Sequence, residues 1–412
     1  MPSKKALSLT AAAAALTLGL TACGGGGGEG GGGEDPLQFG YVFPETGDLS
    51  HLGPPQIQAA KYALSEINDA GGVAGSEVPD ILTGDEANDA AQANDAAKRL
   101  VDQDADIILG AAASGMTQAI MDTVTGAEVV ECSGSNTAPG LAGEDETGYY
   151  WRTAPSDTMQ GPVLAQKIAG DGHQSVAITY RADDYGEGLA NATAEALKQN
   201  GIEVAFNEGY DPNSSNFDSI VSDVADADAD AVVMVSFEEG VQIITGLIES
   251  GVKADQMYGT DGLNDETLAE KVDAEDPGTL AGFQGTAPDN GEDQFIEGLT
   301  GFSSDLEVFQ FSGQVYDCAI VTALAAEQAE STDPAVFVDE VRAVSREGTE
   351  CSGFKECKDL IADGEDIDYQ GVSGPINFDE DGNVTSATFQ IYGFDDQGAH
   401  SKQDEITVDS EA

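Results

Sequence analysis

Five cysteines, three histidines and 76 carboxylates are the residues of this 412-residue chain that could carry chemistry, and their spacing excludes much. No G-x-S-x-G occurs and His51, His173 and His400 are scattered, so neither a nucleophile elbow nor a histidine base is supported and no enzyme is expected. The cysteines show no C-x-x-C spacing, which speaks against a metal site. With Cys23 set aside, Cys132, Cys318, Cys351 and Cys357 form an even set, which in an exported protein favours disulfides. Cys351 and Cys357 enclose five residues including Gly353, so a local loop is expected, and Cys132 and Cys318 are then left to each other. Ser114 follows the strand ending at Leu109-Gly110 and opens the next helix. A hydroxyl there, beside free backbone N–H groups and the positive helix end, suits a carboxylate; the alternative is that it caps its own helix. No cofactor and no metal are expected.

Cys23 stands in Leu20-Thr21-Ala22-Cys23, behind Lys4, Lys5 and an apolar run from Ala6 to Leu20. Nine glycines and one glutamate fill Gly24 to Gly33. This resembles a bacterial lipoprotein signal: a leucine three positions before a cysteine, small residues between, and a flexible tether behind. The apolar run, about 15 residues, is too short to span a bilayer comfortably, and a glycine-rich coil suits a leash. The resemblance implies a signal over 1–23 with Cys23 as the acylated residue, a linker over 24–35, and a soluble body lipid-anchored at the extracellular face of the cell membrane.

Composition bounds that body. About 375 residues remain after the linker, enough for two or three domain-sized units, and 40% hydrophobic content supplies their cores. With 76 acidic against 16 basic residues the formal charge is -60. Nucleic acid is thereby excluded as a partner, since phosphate binding needs clustered Lys and Arg. The acid is spread through the chain and reads as a solvated surface suited to a salty exterior.

The elements that must position Ser114 and its neighbours alternate between strand and helix. Strands are expected over 37–43, 81–83, 107–109, 128–132, 175–180, 203–207, 231–236 and 256–259. Helices are expected over 55–70, 88–103, 114–125, 186–200, 215–225 and 240–250. Such alternation implies parallel sheets built from βαβ units, in two runs that are each the size of one doubly wound lobe. The tail differs, with helices over 314–330 and 334–345, a turn at Asp381-Gly382-Asn383 and an alternating strand over 387–394.

Several segments, in order, resemble a known family. They are Phe39-Gly40-Tyr41, Thr46-Gly47-Asp48, Ile67-Asn68-Asp69-Ala70-Gly71-Gly72-Val73, Ser114 with Thr117-Gln118, Asp184-Tyr185-Gly186-Glu187-Gly188, and Gly374-Pro375-Ile376-Asn377-Phe378-Asp379. Together they are similar to the type I solute-binding proteins of ABC transporters, in the leucine/isoleucine/valine-binding branch with its amide- and urea-binding relatives. That resemblance, over Leu37 to Gly398, implies an α/β fold of two doubly wound parallel-sheet lobes joined by a three-strand hinge. The lobes would collect 36–154 with 282–378, and 155–281 with 379–412.

It also implies the site, at the carboxyl ends of the strands. Beside Ser114, the loop carrying Ser135 and Thr137 would contribute a carbonyl and a hydroxyl to an amino-acid head group. Tyr185 and Phe237 would pack on the ligand, and Asp261 would pair with an α-ammonium. An ordinary polar turn for Ser135 and Thr137, an exposed turn for Tyr185 and a helix cap or turn residue for Asp261 are the competing readings. Leu52 stands where leucine-binding relatives carry an aromatic, and Asp261 is a methylene shorter than their glutamate. The expected function is capture of a small polar solute, a branched-chain or other amino acid first. Short amides, urea, small aromatic acids, or a sensor role beside a membrane receptor are the alternatives. The expected partners are the ligand, ABC permease subunits and the membrane, the protein itself being a monomer.

Overall fold

The computed structural model describes residues 35–410. Cys23, the apolar leader and the glycine run lie outside the described residues. The first sheet is wholly parallel, in the order Leu82–Asp85, Phe39–Phe43, Ile107–Gly110, Val130–Ser133, Tyr150–Arg152. Its central strands are buried at every position, as expected for a sheet covered on both faces. Alternate residues serve two cores. Phe39, Tyr41, Ile107 and Leu109 pack with the helices Gly53–Asp69 and Ser312–Gln328, whereas Val42 and Ile108 pack with Ala96, Leu100 and Ile120 of the helices opposite.

Both cysteine pairs form. Cys132 on its strand bonds Cys318 on the helix Ser312–Gln328, with Cα atoms 5.8 Å apart, and the pair spans 186 residues of sequence. In the chain-entropy model a loop of that length is worth about 5 kcal/mol. Cys351 bonds Cys357. The expected loop between them is instead a strand end and a helix, Thr349–Ser352 followed by Gly353–Ala362.

The second sheet has seven strands, in the order His400–Asp409, Ser386–Phe394, Gln284–Pro288, Met257–Gly259, Ala231–Val235, Ser175–Arg181, Glu203–Tyr210. The five from Gln284–Pro288 onward are parallel, and the last two of the chain add an antiparallel ribbon at one edge. Gln284–Pro288 therefore belongs to this sheet rather than to the first lobe, and the first-lobe segment expected to begin at 282 begins beyond Pro288. A further departure is the helix Asp157–Gly170, where the pattern shows no element. Gly161 and Pro162 interrupt its periodicity, yet Ser156 caps it and Pro162 is tolerated inside it. Gly161 has a packing reason: a Cβ there would lie 2.7 Å from the backbone nitrogen of Thr193 on the neighbouring helix. The expected helix over 334–345 is two short pieces, Pro334–Phe337 and Glu340–Ala343.

The chain passes between the two lobes three times. Arg152 donates its backbone N–H to Gly382 and its Nε to Asn383 Oδ1 (2.7 Å), so the first and third passages lie side by side. The second is tied to the strand Ser386–Phe394 by Asp289 N–H to the Thr388 carbonyl, 2.9 Å.

Candidate functional site

In the first lobe the strand ends Ile107–Gly110 and Val130–Ser133 place two loops against each other. The Ser114 hydroxyl does not cap its own helix, whose N-cap is Ala113. Its Oγ instead accepts the backbone N–H groups of Thr137 (3.3 Å) and Ala138 (3.2 Å), fixing the second loop on the first. Ser135 donates to Gln56 Oε1 at 2.9 Å, and its Oγ also lies 3.2 Å from the Ala112 carbonyl. Two buried donors, Thr137 Oγ1 and Gln56 Nε2, have no partner within the protein. Behind them Glu86 accepts from the N–H groups of Ala112 (2.7 Å) and Ala113 (3.2 Å), and burial pushes its carboxyl up to about 8.

The second lobe brings carboxylates and rings. Asp261 opens a short turn after the strand Met257–Gly259 and is 4% exposed. Its Oδ1 accepts from Tyr185 Oη (3.0 Å) and Gln160 Nε2 (2.9 Å), and Tyr185 Oη also meets Thr260 Oγ1 at 2.8 Å. Burial raises the Asp261 carboxyl to about 6, against the lowering pull of those two hydrogen bonds. Asp157, fully buried in the first turn of its helix, is raised well above the carboxylate range by burial and then by the Asp261 charge. The Thr137 hydroxyl is near enough to Asp157 to temper that rise, yet Thr137 Oγ1 and both Asp157 oxygens have no hydrogen-bond partner within the protein. The same holds for Gln160 Oε1.

Phe237 stacks on Tyr185, ring centroids 5.1 Å apart at 16°, and the Arg181 guanidinium carbon lies 3.6 Å from the Phe237 centroid. The two groups cannot share one face, so Phe237 is sandwiched and presents only its edge. Leu49, Leu52, Ala113 and Phe311 pack with Tyr185 and Phe237 in one apolar cluster that crosses between the lobes. The lobes also meet where Gln310 Nε2 donates to the Asp261 carbonyl (2.6 Å), and where Gly188 touches Pro139 so closely that a Cβ would come within 2.6 Å of its ring.

All seven residues expected at the site, Leu52, Ser114, Ser135, Thr137, Tyr185, Phe237 and Asp261, are buried where the two lobes meet. Sequence reasoning missed Gln56, Asp157, Gln160, Gln310 and Phe311. Ser156-Asp157 carries a capping signal, hidden by the Gly-Pro pair that follows; Gln310 and Phe311 sit in an irregular segment, and Phe311 adopts φ +60°, which no pattern announces. Among the described residues no cluster of three or more His, Cys, Asp or Glu could hold a metal ion. What the arrangement can hold is a small molecule with an anionic end facing hydroxyl and amide donors and a cationic end facing two carboxylates.

The leucine-, isoleucine-, valine-, threonine- and alanine-binding protein of Pseudomonas aeruginosa is 25% identical over 363 residues, 87% of this chain and 90% of that protein. The substrate-binding protein of the Streptococcus pneumoniae branched-chain amino acid transporter, solved with isoleucine, superposes with a TM-score of 0.74. It is 21% identical, and the match covers 91% of this chain and all of the other. A solute-binding protein of an ABC transporter from R. palustris, solved with 4-hydroxybenzoate, gives a TM-score of 0.75 at 17% identity over 92% and 98% of the two chains. Residues 36–399, which take in the first sheet, the second sheet short of its edge strand His400–Asp409, and the clustered cleft residues, match the family model described as periplasmic binding protein, and the chain belongs to that family.

Proposed function

We propose that this protein captures a small amino acid, a branched-chain one first, by closing its two lobes, and delivers it to the permease of an ABC importer. The observation that carries the reading is the polarity of the cleft. Unpaired donors at Thr137 and Gln56 stand on the first lobe, and the carboxylates of Asp157 and Asp261 on the second. A zwitterion satisfies both sides at once, its carboxylate taking the donors near Ser114 and its ammonium neutralising the carboxylates. The side chain would rest on Leu52, Tyr185 and Phe311. Water is excluded from such a site, so each charged hydrogen bond is strong, and a micromolar dissociation constant needs only about 8 kcal/mol net. The Pseudomonas relative, named for binding five aliphatic and small amino acids, supports the same reading.

A small aromatic acid is the second reading, favoured by the R. palustris neighbour bound to 4-hydroxybenzoate and by Phe311 beside Tyr185. It would leave Asp157 and Asp261 without a cation. The Leu20-Thr21-Ala22-Cys23 motif supports delivery at the outer membrane face through an acyl anchor on Cys23. Among the described residues no helix is long and apolar enough to cross a membrane.

A thermal-shift panel of the twenty amino acids, urea, short amides and small aromatic acids, at low and high salt, tests the reading. A rise in melting temperature with leucine, isoleucine or valine is expected. A rise confined to ligands without an ammonium group contradicts it.

A further inference from the structure

Arg181 ends the strand Ser175–Arg181 and is 2% exposed, in a chain whose basic residues number only 16. Its Nε lies 2.5 Å from Asp183 Oδ2 and its Nη1 2.9 Å from Glu239 Oε1. Those two contacts hold the guanidinium over the face of Phe237, its carbon 3.6 Å from the ring centroid. The same Glu239 oxygen accepts the backbone N–H of Phe237 (3.2 Å) and lies 2.9 Å from the Tyr210 hydroxyl, so one carboxylate fixes the ring's backbone and its cationic neighbour together. Glycines make room for the assembly. A Cβ on Gly186 would meet Arg181 Cγ at 2.7 Å, and one on Gly262 would meet Phe237 Cδ1 at 2.7 Å.

We infer that Arg181 is a positioning residue for ligand selectivity: it is the outer deck of a stack, Arg181 on Phe237 on Tyr185, whose inner deck bears the hydroxyl bonded to Asp261. The inference rests on the amino-acid reading. A planar cation on an aromatic face is attracted to the ring quadrupole, most strongly when desolvated, and a lysine cannot reproduce the doubly anchored contact. With the stack fixed, Tyr185 keeps one distance from Leu52 and Phe311 opposite, and that distance limits the side chain admitted. With the outer deck loosened, the rings can retreat, so a larger side chain enters and a small one is held less well.

Calorimetric titration of the full chain with leucine and with phenylalanine tests this in wild type, Arg181→Lys, Phe237→Ala and the double variant. Arg181→Lys is expected to weaken leucine binding about tenfold while its ratio to phenylalanine narrows. On the Phe237→Ala background the same change is expected to cost nothing further, because the arginine acts through the ring. A lowered melting temperature with unchanged affinities and ratio would make Arg181 merely structural and overturn the inference. So would an equal loss on both backgrounds. If Arg181→Lys does not fold, Glu239→Gln must reproduce the narrowed ratio, and an unchanged ratio there overturns it. Wild type binding neither probe overturns the amino-acid reading itself, an outcome distinct from binding that ignores Arg181.

Discussion

The two walls of the cleft are built on different principles. On the first lobe the functional hydroxyls are woven into backbone. Ser114 ties down Thr137 and Ala138, and Ser135 is paired with Gln56 and the Ala112 carbonyl. On the second lobe Asp157 and Asp261 are carboxyl groups whose ionised forms burial disfavours, and both Asp157 oxygens lack a partner within the protein. The first wall is part of what holds its lobe together, whereas the second stores an electrostatic debt that a cation can discharge. Substitutions on the first wall should therefore lower stability and affinity together, and substitutions on the second should separate them.

The largest effect is expected from Asp261→Asn. Truncating one partner of a buried charged pair costs about 2–5 kcal/mol, so leucine affinity measured by calorimetry should fall by about 30-fold or more. The melting temperature of the ligand-free protein should hold or rise, because a buried charge has been removed. Unchanged affinity would move the ammonium site elsewhere. Gly188→Ala comes next. Its Cβ would lie 2.6 Å from Pro139 Cδ on the other lobe, so closure is obstructed and affinity should drop about tenfold. Alanine in a helix interior is favoured over glycine by up to about 1 kcal/mol, so ligand-free stability should not fall. Equal affinity in this variant would mean that the lobes need not approach so closely.

Ser114→Ala should lower both quantities, stability by about 1 kcal/mol through the two lost backbone contacts and leucine affinity several-fold. A variant as stable as wild type would erase the distinction between the walls. A further effect is in pH, and it runs in opposite directions for stability and binding. Asp261 has a carboxyl raised in the folded state to about 6, so its contribution to ligand-free stability is present below its unfolded value and lost as pH rises through about 6. Glu86, raised to about 8, acts the same way at higher pH. Affinity for an ammonium ligand needs Asp261 ionised and should weaken as pH falls through about 6. Melting curves and titrations at pH 5 and pH 7.5 would reveal whether the two trends cross.

Apart from Tyr150–Arg152 and Asp157–Gly170, the alternating strands and helices from Leu37 to Gly259 were legible because parallel sheets buried on both faces give continuous apolar runs, and the runs marked their own loops. Ser114, Thr137, Tyr185 and Asp261 were nominated because each follows a strand's carboxyl end, and Ser114 and Tyr185 also stand in segments that resemble the family; all four are buried where the lobes meet. Asp157 and Gln160 were not, since Gly161-Pro162 breaks the helical pattern although tertiary packing keeps the helix intact. Gln284–Pro288 was assigned to the first lobe and no strand was expected there, because Gly285 and Pro288 disfavour one, and its identity comes from the neighbours it pairs with. Arg181 was invisible as a site residue, since its role lies in a ring contact across the sheet's end rather than in any local motif.

The most direct test of the account is a calorimetric comparison of L-leucine with 4-methylpentanoate, which keeps the side chain and carboxylate but lacks the ammonium. Leucine binding at least 100-fold tighter, with the gap closing in Asp261→Asn, is the predicted result. Equal affinity for the two would contradict recognition of a cation by Asp157 and Asp261, and with it the amino-acid reading of the cleft.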